Sequence, residues 1–261
     1  MAIETPQPAA MAGVNLRSID SGAPLRWLAR GWQDLRRHPA ASLFYGACFA
    51  ASGWLLYFVF TAAYPLFAGL TSGFLLLGPV LAIGLYDLSR REEAGLPPLL
   101  GPTLVAWRRN LANLGLFAAV IAVVMLIWAR ASMVIFALFY HGGLPTFGDV
   151  VRHVVTFAQP EFTLTYFGVG GFFAAFIYAI AVVSVPLMLD RQVDAVSAGI
   201  ASIRAVSLNT VPLALWALVI AVFGAIGFAT FFVGLIVLIP LVGHGTWHAY
   251  RDLVEPAAPS G

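Results

Sequence analysis

Three long apolar stretches, each bounded on one side by arginines, set what this chain can fold into. They run over roughly 40–88, 111–140 continued by 163–189, and 211–243. A crossing of a ~30 Å hydrocarbon layer takes about 20 apolar residues at 1.5 Å rise each. Taken as helices, the stretches cross about six times. Composition agrees: of 261 residues, 61% are hydrophobic and 10% charged, where soluble domains carry about 25% charged residues. Too few charges remain to coat a globule, so the bilayer replaces water over much of the surface. The expected fold class is an all-α membrane protein.

The spans follow from punctuation. Span 1 covers about 40–62, after His38-Pro39, and span 2 about 66–86, ending at Tyr86-Asp87. Span 3 starts near Leu111 and span 4 covers about 163–188. The stretch 211–250 carries no Asp, Glu or Arg and is too long for one crossing, so it splits near Gly227–Thr230 into spans 5 and 6. The residues flanking this domain, 1–23 and 255–261, are rich in Ala and Pro and read as disordered tails around a single six-span domain over 24–254. The first 23 residues have no apolar core and are no cleavable signal peptide.

Arginine is the only strong cation, since the chain has no lysine. With six spans, twelve of the fourteen arginines fall on one side; Arg130 and Arg152 do not. The positive-inside bias then makes that side, and both termini, cytoplasmic. Net charge is only +2, which gives no general attraction to nucleic acid. The single cysteine, Cys48, excludes an internal disulfide and a cysteine metal cluster.

One unit recurs three times: an arginine-bearing segment leading into a span. The segments are Trp27–Pro39, Leu104–Asn113 and Ala198–Asn209. In the first, Leu25, Leu28, Trp32 and Leu35 recur at spacings of three and four, as in a helix lying in the cytoplasmic interface. The simplest architecture is three hairpins with three amphipathic interfacial helices.

A few residues stand out. Arg130 follows nineteen apolar residues counted from Leu111, about 28 Å of helix, which places it snorkelling at the outer interface. The alternative buries it against Glu161 or Asp149, marking an anion path. His244 and His248 are four apart on one helix face and are candidate ligands of one metal ion, with His38, Asp34 and Asp87 at the same depth as further donors. The zinc-protease pattern is absent, because Gly245 follows the first histidine. Asp87, Asp190 and His38 are the other candidate functional residues, and the prolines 79, 186 and 240 are candidate kinks. No phosphate-binding loop or nucleophile elbow is present, and no cofactor is implied.

The run Leu189-Asp190-Arg191-Gln192-Val193-Asp194-Ala195, then Gly234-Leu235-Ile236-Val237 and Pro240-Leu241-Val242-Gly243-His244-Gly245-Thr246-Trp247-His248-Ala249-Tyr250-Arg251-Asp252-Leu253, resembles the domain of unknown function 2189 family. The Trp27–Pro39 segment fits as well, and the resemblance extends over about 14–254. It implies a bacterial inner-membrane protein and no particular activity. Three functional classes are then in play. The first is a non-enzymatic scaffold or assembly protein whose partners are the lipid bilayer and another membrane protein. The second is a small transporter or lipid-handling protein using Arg130 and the proline-broken spans. The third is a metal- or haem-associated protein using His244 and His248.

Overall fold

The structure, a computed structural model, describes residues 14–62, 82–139 and 159–256, and these are helical throughout apart from short connections. Four helical segments are long and apolar enough to cross a membrane: Pro39–Phe58, Ala106–Phe139, Pro160–Asp190 and Thr210–Ala229. Their lipid-compatible sides are open, as at Leu116, Val123 and Leu126 on the second of them.

Helix α1 (Ala23–Arg37) stops at His38, and Pro39 opens α2 (Pro39–Ala62), the place in a helix where a missing N–H costs nothing. The described part of expected span 2 is α3, 82–93; the rest of that span, Pro79 included, lies outside the described residues. This helix does not end at Asp87 as expected. Arg90 and Arg91, three and four residues on, hold the Asp87 carboxylate at 2.6–2.8 Å, so its charge is neutralised within the helix.

A short helix α4 (Leu100–Thr103) and a 3-10 turn (Ala106–Asn110) lead into α5 (Leu111–Phe139). The second of the three expected interfacial helices is therefore only this turn. Beyond it come α6 (Pro160–Ala181) and α7 (Ser184–Asp190), then α8 (Ala195–Leu208), capped by Asp194, whose carboxylate accepts from Val196 N and Ser197 N.

The expected split of the last apolar stretch is found as α9 (Thr210–Ala229) and α10 (Leu235–Leu253), joined by a tight turn. Phe231 and Phe232 take positive φ, 51° and 68°, which costs a bulky side chain energy. The turn is held from outside: Trp54 of α2 donates to Phe231 O at 2.8 Å, and Tyr57 packs edge-on against the Phe231 ring. Pro240 sits inside α10, which continues past it.

Helix α10 is the hub, with α1, α2 and α9 packed along it, while α5 to α8 form a second group. The α2–α10 crossing is a backbone contact: a Cβ on Gly46 would lie 2.0 Å from Ile236 O. Trp216 Nε1 donates to Thr246 Oγ1 at 3.2 Å, and Gly227 meets Leu235. These two pairings set α9 and α10 antiparallel, with residue 210 level with 252.

Residues 14–22, expected as part of a disordered tail, are in place. Arg17 N donates to Leu253 O at 2.8 Å and Glu255 N to Asn15 O at 3.0 Å, so the two ends of the chain meet. Asn209 anchors the same segment, accepting from Ile19 N and donating to Arg17 O. Backbone groups paired in this way remove the reason for disorder that composition alone suggested. Residues 1–13 and 257–261 lie outside the described residues.

Gly46→Ala should push α2 off α10. We expect a loss of about 1–3 kcal/mol, the usual cost of overpacking, read as a lower thermal unfolding midpoint in detergent, with Gly168→Ala, where a Cβ meets nothing within 4 Å, as the neutral control.

Candidate functional site: a buried carboxylate–imidazole box

The Leu25, Leu28, Trp32 and Leu35 stripe is not the face by which helix α1 packs on the protein. Leu25 and Trp32 are 72% and 45% exposed, and the buried face is Trp27, Gly31, Asp34 and Leu35. Gly31 makes this possible: a Cβ there would lie 2.7 Å from Leu241 O and 2.8 Å from Gly245 N, so only a glycine pair lets α1 and α10 come so close. Trp27 is fully buried, its ring edge-on to Trp216 and its Nε1 donating to Asp252 at 2.8 Å.

That contact delivers Asp34 to the histidine face of α10. His248 Nε2 lies 2.9 Å from Asp34 Oδ2, and Ser89 of α3 donates to the same oxygen at 2.6 Å. His244 Nδ1 lies 2.7 Å from Ser89 Oγ, and its Nε2 lies 2.9 Å from Ser42 Oγ of α2. A hydroxyl has one proton, and Ser89 gives its proton to the carboxylate. With His244 neutral, Nδ1 must then carry the ring proton and Nε2 must accept from Ser42. Four helices, α1, α2, α3 and α10, are thereby joined through one buried string of side chains.

The string continues outward. His248 Nδ1 lies 3.6 Å from Glu93 Oε1, and Arg251 bridges Glu93 at 3.1 Å and Asp190 at 3.5 Å. Tyr250 donates to Asp190 at 2.7 Å. Burial alone would raise the Asp34 carboxyl, but hydrogen bonds from His248 and Ser89 and the nearby imidazoles outweigh it and hold the group below the usual carboxylate range.

The α9–α10 pairing fixes the depth. By that register His244 is level with residue 218, eight residues inside the start of α9 at 210, or about 12 Å of helix. Its contact with Ser42 puts it three residues past the start of α2 at Pro39, so the box lies just inside the arginine-bearing helix ends. Topology had set Asp34, His38 and Asp87 at the depth of the two histidines; of these, Asp34 is the one that His248 meets.

The sequence-derived candidates separate into two groups. His244 and His248 do meet, but on a carboxylate: three of their four ring nitrogens are engaged by Ser42, Ser89 and Asp34. Among the described residues no group of three or more His, Cys, Asp or Glu is arranged to hold a metal ion. Asp87 is locked by Arg90 and Arg91, Asp190 by Tyr250 and Arg251, and His38 lies 2.7 Å from Glu92, which also pairs with Arg37. Arg130 is apart from all of these, exposed on α5 and, among the described residues, without an ion-pair partner. Glu161, its candidate partner, is likewise exposed, and Asp149 lies outside the described residues.

Sequence reading missed Ser42, Ser89, Glu93 and Asp252. A signal for the contact was available in Trp27-x-x-x-Gly31-x-x-Asp34, which puts an aromatic, a gap and a carboxylate on one helix face. A serine, an imidazole, a second serine and a carboxylate in series resemble a nucleophile relay. Ser42 is fully buried, however, and the second serine lies between the His244 imidazole and the carboxylate.

Described residues that are helical, with four helices long and apolar enough to cross a membrane and open apolar faces, are those of an integral membrane protein. Residues 66–190, a little under half of the chain, match the family model described as Predicted integral membrane protein (DUF2189). The family suggested by the sequence is thus found by comparison, over a shorter segment than expected. Trp27–Pro39 and the histidine-bearing ending of α10 fall outside it, and of the quoted residues Leu189 and Asp190 fall inside. Neither a curated protein nor a solved structure matches the chain.

Asp34→Ala should cost about 3–5 kcal/mol, the range for removing one partner of a buried charge pair, and should lower the unfolding midpoint more than Arg130→Ala, for which we expect a change within about 0.5 kcal/mol. The pH dependence has a definite sign. A carboxyl held below its unfolded value contributes stability above about pH 4 and loses it as pH falls through the folded value. Unfolding midpoints measured from pH 6 down to 3 should therefore fall in wild type, and fall less in Asp34→Asn.

Proposed function

We propose that the chain is a six-span protein of a bacterial cytoplasmic membrane, with both termini cytoplasmic, that acts without catalysis as a scaffold or assembly partner for another membrane protein. The observation carrying this reading is the use made of its polar groups. Serine, histidine and aspartate side chains suited to acid–base or nucleophilic work are engaged in tying α1, α2, α3 and α10 together. The described surface of α9 offers apolar side chains outward, as at Leu215, Leu218 and Val222.

The meeting of the two chain ends supports an even number of crossings, since segments paired at Arg17 and Leu253 share one side of the bilayer. The arginine distribution supports that side being cytoplasmic. The transport reading, which needed Arg130 buried in a polar path, gains no support from an exposed Arg130.

Affinity purification of the tagged protein from native membranes in mild detergent, followed by mass spectrometry, tests the proposal. A stoichiometric membrane protein copurifying with wild type and equally with Arg130→Ala is the expected result. A lone species, with no partner captured by crosslinking in intact membranes, would overturn it. A C-terminal reporter active only in the cytoplasm checks the orientation and should be active.

A further inference from the structure

An open cavity of about 640 Å³ lies beside α1, and Arg17, Ser18, Ile19, Arg26, Arg30 and Asp252 are among its walls. Its position is fixed on three sides. Asp252 is level with residue 210, where the uncharged run of α9 begins, so the cavity opens where hydrocarbon gives way to headgroups. Ile19 and Ala29 supply apolar wall beside the arginines. Asn209 holds the Arg17 segment in place through Arg17 O and Ile19 N.

The charges of the wall are separated rather than of one sign. Arg26 pairs with Asp20 through two contacts of 3.0 and 2.5 Å, Arg30 pairs with Asp252, and Arg17 stands 3.9 Å from Glu255. Donors and acceptors remain. Arg17 makes that single loose contact through Nε, leaving its terminal fork, and Arg30 is engaged through one terminal nitrogen. On Asp252, Trp27 and Arg30 both use Oδ2, leaving Oδ1. Three guanidiniums against three carboxylates give no net pull on an anion. They do present a cationic and an anionic point to a molecule that carries both.

We propose that this cavity binds the headgroup of a zwitterionic, amine-bearing phospholipid, with its phosphate on Arg17 and Arg30 and its ammonium on Asp252. The acyl chains then run into the adjoining hydrocarbon. The site does not depend on the partner reading above, because it requires only the bilayer.

Native mass spectrometry of the delipidated full chain, titrated with phosphatidylethanolamine, with phosphatidylglycerol of the same acyl chains, or with inorganic phosphate, tests it. The ethanolamine lipid should bind best. Arg17→Gln, at the rim and outside the buried box, should weaken it about tenfold, the loss expected for a charge-assisted hydrogen bond. Asp252→Asn should reduce the preference for ethanolamine over glycerol. Equal binding of the two lipids to wild type would overturn the proposal. So would retention of inorganic phosphate alone, or unchanged lipid binding in Arg17→Gln. Should Asp252→Asn fail to fold, Arg17→Gln and the comparison of headgroups still decide the matter.

Discussion

One carboxylate organises this molecule. Asp34 leaves the arginine-bearing helix α1, enters the bundle and takes hydrogen bonds from His248 of α10 and Ser89 of α3 on a single oxygen. An ionised carboxylate at that depth is costly unless its partners are in place before it arrives. The register of α1 on α10 is therefore not free. A shift of one residue along either helix would leave the charge and two imidazoles facing apolar surface. His244 and Ser42 extend the same requirement to α2.

The polar contacts and the glycine contacts depend on each other. Gly31 against Gly245 and Gly46 against Ile236 bring backbones close enough for short side chains such as serine and aspartate to span the gap. Larger residues at either point would hold the helices apart and break the string at its shortest links. Close packing through small residues is a common solution in membranes, where apolar surface gains little from leaving lipid. Here it also brings a carboxylate and two imidazoles into one small volume.

The outer parts of the molecule follow from this interior. With Asp34, Ser89, His244 and His248 of α1, α3 and α10 turned toward each other, the exposed apolar faces of α5 and α9 are left to lipid or to another membrane protein. The ends of the chain close over the same region, the N-terminal segment pairing beside Leu253 and lining the cavity with Arg17. Box, rim and cavity are successive layers of one end of the bundle.

Much of the helical layout was legible in the sequence, because length and hydrophobicity act locally. The start of α2 at Pro39, the start of α5 at Leu111 and the turn between α9 and α10 near residue 230 were all readable from punctuation in an apolar run. Helix α3 was misjudged at its end, since the charge of Asp87 looks terminal until Arg90 and Arg91 are seen to cancel it. The inward face of α1 was not legible. Its hydrophobic stripe and its packing face differ, because the packing face was selected by Gly31 fitting α10 and not by apolar surface. The candidate residues His244, His248 and Asp34 could be named from sequence, but not their union with Ser42 and Ser89. By itself, then, the sequence determined which segments are helical and suited to lipid, since that depends on the local balance of apolar and charged side chains. The tertiary structure alone decided which polar groups meet, because a hydrogen bond between Asp34 and His248, 214 residues apart, depends on how helices cross and not on what either segment contains.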